Sequence, residues 1–170
     1  MVNFNKALLQ AKKNLEKYKK LEPVLLAETN KGDVIVPLFI MTPDNKHQLF
    51  RQIGEKFRED KFEVNAITLI DECWYVKGIK KDKVSEETKK YKSLAEHPNS
   101  KEAIIIVKSD DDRNCKMAII PFKWKRSFKP PFKKELVWDK KIQSKQKEMT
   151  KTDSPLLQKF WDGFYITANI

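Results

Sequence analysis

Glu63-Val64-Asn65-Ala66-Ile67-Thr68-Leu69-Ile70-Asp71-Glu72-Cys73-Trp74-Tyr75-Val76 is the longest strand signal in the chain. Its middle, Ala66 to Ile70, is apolar at both alternating positions, which predicts a central strand covered on both faces. Gly78 ends it, and a polar connection follows over 79–100, with a short helix from Ser85. Beyond that, Ala103 to Val107 and Lys116 to Trp124 read as two more strands, joined by the acidic loop Ser109-Asp110-Asp111-Asp112-Arg113-Asn114.

On the N-terminal side, Thr42-Pro43-Asp44 opens a helix whose buried stripe is Leu49, Phe50, Ile53 and Phe57. Gly54 weakens that helix slightly. Val34 to Met41 reads as a strand, with Pro37 favouring an edge. A helix between it and 63–76 makes the two strands parallel neighbours by a right-handed crossover. Residues 4–21 form an amphipathic helix with Leu8, Ala11, Leu15 and Tyr18 inward, stopped at Pro23. At the other end, Ser154 caps a helix, Pro155 takes its first position, Leu156, Leu157, Phe160 and Trp161 bury, and Gly163 stops it.

The expected fold is a single α+β domain. It has a mixed or mostly antiparallel sheet of about four strands packed by helices, in the order α-β-α-β-β-β-α. Residues 1–125 form the α+β core, 126–153 a basic aromatic extended segment, and 154–170 a C-terminal helix packing on the core.

Composition narrows the function classes. The chain has 170 residues, 40% hydrophobic and 11% aromatic, enough for one core. No apolar run approaches the ~18 residues needed to span a bilayer. There is no signal-peptide pattern, so a cytoplasmic location is the default. Cys73 and Cys115, the only cysteines, are then reduced thiols. The net charge is +11, and it is localised. Residues 123–151 hold eleven basic residues against three acids, and 1–20 hold six lysines against one glutamate. Only four of the bases are arginine. Lysine is a hydrated point charge without arginine's planar, bidentate fork, and a lysine-heavy surface also arises with no binding role, which weakens a nucleic-acid reading.

The strongest functional motif is Phe122-Lys123-Trp124-Lys125-Arg126-Ser127-Phe128-Lys129-Pro130-Pro131-Phe132-Lys133-Lys134. Lysines can neutralise phosphates while rings stack on bases, as in single-strand binding. The candidate nucleic-acid contacts are Lys123, Trp124, Lys125, Arg126, Phe128, Lys129, Lys133 and Lys134. Strand geometry offers a competing account, with Phe122 and Trp124 turned to the core and Lys123 and Lys125 to water.

Candidate catalytic residues are Asp71, Glu72 and His97. The two acids point to opposite faces of a strand end, and acids at such an end can have perturbed ionisation. Pro43-Asp44 with Glu59-Asp60-Lys61 has the letters of a metal-dependent nuclease motif. A helix between the acids holds them apart, and caps and solvated charges explain them. Asp110-Asp111-Asp112 lacks the glycine and terminal glutamate of a calcium loop. The cysteines and histidines lack zinc-ligand spacing. Four glycines cannot build a phosphate-cradling loop, so no metal and no cofactor is expected.

Residues 67–107 resemble a type of small microbial α+β protein that has no assigned activity. An apolar strand ends in Asp71-Glu72-Cys73-Trp74, a polar loop follows with Glu96-His97-Pro98, and Ala103 to Val107 is a second apolar strand. The resemblance implies a compact α+β unit, with Glu72 and His97 flanking one sheet.

The chain is thus expected to be a basic, non-enzymatic, nucleic-acid-associated factor with little sequence specificity, single strands favoured. One alternative is a protein-binding adaptor or accessory subunit, using 130–138 and the C-terminal helix. The other is a metal-dependent hydrolase or nuclease.

Overall fold

The computed structural model describes residues 4–78, 80–126, 128–130, 134–138 and 150–165. Strand β3, Val64–Val76, is the central strand its apolar middle demands. Ile67 and Leu69 point into one hydrophobic core, and Ile70, with the opposite parity, points into a second. β1 (Val24–Thr29) and β2 (Gly32–Pro37) form a hairpin on one side of β3, with β1 bonded to it. On the other side lie β4 (Ser100–Asp110) and β5 (Cys115–Arg126). β6 (Lys134–Trp138) and β7 (Thr150–Thr152) share the far edge of β5. The sheet therefore has seven strands in the order β2-β1-β3-β4-β5-β6, with β7 beside β5, and every pairing is antiparallel.

This corrects the expected four strands, and the element order with them. β1 begins one residue after Pro23, where the sequence reading placed only a helix stop. The expected strand over 34–41 is shorter and starts earlier, because Leu38 turns into the core as the chain leaves the sheet. It is not a parallel neighbour of β3, since β1 lies between them. β6 and β7 come from 126–153, the expected basic aromatic extended segment, which pairs with β5 instead of standing apart from the sheet.

Helices cover both faces. Helix α1 (Phe4–Tyr18) buries Ala7, Ala11 and Leu15 against Ile70, Ile104, Ile106, Ala118, Ile120 and Phe122. Tyr18, expected on that stripe, is exposed. α1 leaves part of the β1–β2 surface uncovered, and a groove of about 360 Å³ runs there between Ala7, Ala11, Leu26, Ile35 and Ile70. A short helix α3 (Val84–Lys90) lies in the connection between β3 and β4, near the expected Ser85 start.

The opposite face is covered by α2 (Lys46–Glu59) and α4 (Pro155–Phe164). Phe50 and Phe57 from α2 meet Leu157, Phe160 and Trp161 from α4. Ser154 caps α4 as expected, its hydroxyl accepting from Leu157 N–H at 3.3 Å. Gly163 is not a stop but a buried position inside α4. A Cβ on Gly54 would run into the Phe160 carbonyl, and one on Gly163 into the Arg51 carbonyl. Both glycines are therefore contact points between helices whose backbones touch. Inside this core, Trp161 Nε1 donates to Ser109 Oγ at 2.9 Å, which satisfies two fully buried polar groups.

Candidate nucleic-acid interface

Strand β5 sorts the cation-and-ring motif by parity. Phe122 and Trp124 point to the α1 side, in sequence with Ala118 and Ile120. Lys123 and Lys125 point to the other side and are exposed. The ring side is an internal cluster. Phe122 is fully buried and meets Trp124 and Trp138 edge-on, with centroids at 5.9 and 5.7 Å. β6 supplies Trp138 opposite Phe122 and Leu136 opposite Trp124. Helix α1 closes over them: Lys12 Nζ lies 4.5 Å from the Trp138 ring centre, and Trp138 Nε1 donates to Glu16 at 3.4 Å. Burial pushes the Lys12 ammonium down from its ordinary value, and Glu16 opposes that shift. Trp124 is half-buried, with Lys134 and Lys19 lying over its ring at 4.8 and 5.6 Å. These cation–π contacts occupy the faces a base would stack on.

The cation side is open. Lys123 and Lys125 share their face with Lys101 of β4, which lies opposite Tyr75. Glu135 stands opposite Lys125, and Val137 opposite Lys123. Arg126 ends β5 across from Lys134, and Phe128 and Lys129 follow it in the next bend. Phe128 is 96% exposed. Among the described residues, Lys123, Lys125 and Arg126 have no ion-pair partner. Of the expected contacts, Lys133 lies outside the described residues.

Asp71, Glu72 and His97 are placed for separate tasks. Asp71 and Glu72 point to opposite faces of β3, as alternation requires. Asp71 Oδ1 accepts from Glu72 N–H at 2.7 Å. Burial pushes its carboxyl up to about 6, with help from the charges of Glu72 and Glu22. Glu72 Oε2 accepts from Leu21 N–H at 2.7 Å and so ties the end of α1 to β3. Cys73, beside both acids, has its thiol pushed up to about 12 by burial and their charge, so it is a poor nucleophile. His97 folds its own loop: Nδ1 accepts from Asn99 N–H at 3.0 Å, and its ring meets Tyr91 edge-on at 4.6 Å. Among the described residues no three His, Cys, Asp or Glu side chains gather where they could hold a metal ion. Asp44 and Glu59 stand at opposite ends of α2.

Sequence reading missed Lys101 and the cross-strand row that Trp74 joins. Trp74 is 45% exposed and lies in one cross-strand row with Glu102, Phe122 and Trp138. The register that assembles this row appears only once the strands are paired. No protein-family model, curated protein or solved structure matches this chain.

Proposed function

We propose that this chain is a basic cytoplasmic factor that binds nucleic acid without catalysis and with little sequence preference, single strands favoured. The contact face is the open side of Lys101, Lys123 and Lys125, continued past the end of β5 by Phe128 and Lys129, with Arg126 bordering it from the α1 side. The supporting observation is Phe128, a ring almost wholly in solvent within a run of cations. The ring offers both faces to solvent beside phosphate-neutralising lysines, which is what a stacking platform for bases requires. The face is lysine-rich and offers no bidentate base reader except Arg126, which accounts for the low specificity. Trp124 lies on the α1 side of the sheet, where exposed Lys134 sits over its ring.

The adaptor alternative uses 130–138 and the C-terminal helix; of its rings, Phe160 and Trp161 have no exposed surface, and Trp138 packs on Phe122 beneath Lys12 of α1. The hydrolase alternative needs acids converging on one ion, and Asp71 and Glu72 diverge.

The test is titration of a fluorescent single-stranded oligonucleotide at several salt concentrations. A variant carrying Lys123→Glu, Lys125→Glu, Arg126→Glu and Lys129→Glu should lose most affinity. Its slope of log K against log salt should fall by about 3, at roughly 0.7 per phosphate contact. Phe128→Ala should cost about 1–3 kcal/mol with that slope unchanged. Equal binding by wild type and the fourfold variant overturns the proposal.

A further inference from the structure

Strand β2 is an outer strand, bonded to β1 on one side and to no described strand on the other. Its hairpin with β1 turns through Asn30-Lys31, with Thr29 opposite Gly32. A two-residue hairpin makes that closing pair a hydrogen-bonded one. Bonding direction alternates along a strand, so Gly32, Val34 and Val36 turn their backbone groups toward β1. Leu38 continues the series, its N–H donating to Pro23 O at 2.9 Å. Asp33, Ile35 and Pro37 therefore turn theirs outward.

We propose that this edge pairs antiparallel with the same edge of a second copy, across a two-fold axis at Ile35. The bonding inventory matches itself there. Each Ile35 N–H donates to the Ile35 carbonyl of the other copy, and each Asp33 N–H to the Pro37 carbonyl. Proline has no N–H to leave stranded, so every outward donor finds an acceptor. The side chains match as well. On the face carrying the groove, Ile35 meets Ile35. On the opposite face, Val34 meets Val36 in both directions. β-Branched residues are thus paired at the three central positions of the seam.

Charge points to the same partner. Asp33 is the one charged residue of β2, and this register sets it opposite Pro37. The two Asp33 side chains stand four residues apart along the strands, roughly 13 Å. Free edges are commonly blunted with lysine, yet β2 carries none in a lysine-rich chain. The apolar surface is exposed in the meantime: Ile35 at 66%, with Phe39 at 71% and Ile40 at 61% just beyond the strand. The excess positive charge is carried by residues 1–20 and 123–151, and β2 lies outside both stretches, so its own residues add no cationic repulsion to the pairing.

The test is sedimentation of the nuclease-treated full chain in about 0.5 M salt, where bridging by nucleic acid is screened out. Wild type should reach twice the 20.1 kDa monomer mass as concentration rises. Ile35→Lys, at an exposed position, should weaken the dimer by at least about tenfold. Ile35→Cys should oxidise to a covalent dimer, because the seam brings the two Cα atoms to about 5.5 Å. Cys115 is buried and Cys73 poorly ionised, so the native thiols give little background. Wild type that stays monomeric up to about 200 μM overturns the proposal. So does a dimer that Ile35→Lys leaves intact and Ile35→Cys fails to link.

Discussion

Asp71 follows Ile70 on β3, and its carboxyl is more than half withdrawn from water. Burial first, and then the charges of Glu72 and Glu22, raise its folded pKa from 3.8 to about 6. Between those values the folded protein holds a proton that the unfolded chain releases. This contribution to stability is complete below the unfolded pKa and is lost as pH rises through about 6. Asp71→Asn keeps an oxygen for the Glu72 N–H and removes the titration. We expect wild type to lose on the order of 1 kcal/mol more than Asp71→Asn between pH 5 and pH 7, read by urea unfolding at both. Parallel pH profiles for the two proteins would show that Asp71 titrates normally. The sequence displayed two adjacent acids at a strand end, and alternation correctly set them on opposite faces. It gave no hint that Glu72 ties down Leu21, because that bond spans 51 residues of chain.

Among the elements, the α2–α4 contact depends on two glycines that carry no readable signal of their partnership. In sequence, Gly54 is a mildly unfavourable helix residue and Gly163 a helix end. In space, each leaves room for a carbonyl of the other helix. Gly163→Ala should therefore force backbones apart and cost at least about 2 kcal/mol, seen as a melting-temperature drop of roughly 5 °C or more. Gly78→Ala is the control: its φ is +89°, with nothing near the added Cβ, so it should cost only about 1 kcal/mol of backbone strain. Similar losses at the two positions would remove the close-approach argument. Strands were legible where their pattern was unambiguous, as in β3, β4 and β5. β1 was hidden because Leu25-Leu26-Ala27 suits a helix as well as a strand. β6 and β7 were hidden because lysines crowd them and their pairing with β5 is wholly non-local. At the candidate site, the alternation of rings and cations was legible. That α1 would claim Trp124 and Trp138 was not, because it depends on where a helix over a hundred residues away comes to rest.

For the whole molecule, the sheet is a partition with a separate core on each face. The α1 core is built by β3, β4, β5 and a helix that precedes them all. The other core takes Leu157, Phe160 and Trp161 from α4, which follows every described strand. A chain ending at 153 lacks those three side chains and leaves Phe50, Phe57, Ile67 and Leu69 without their cover. It should show no cooperative thermal transition and should bind a hydrophobic dye strongly, as a loosely packed state does. A sharp transition near that of the full chain would mean that the sheet and α1 suffice.

The position of α4 also bears on synthesis. A ribosome delivers Phe160 and Trp161 only after the whole sheet has emerged, at about 5–20 residues per second. For those seconds the nascent polypeptide has one finished side and one sticky side. Until the turns of α4 arrive to seal that side, Phe50, Phe57, Ile67 and Leu69 wait without their partners.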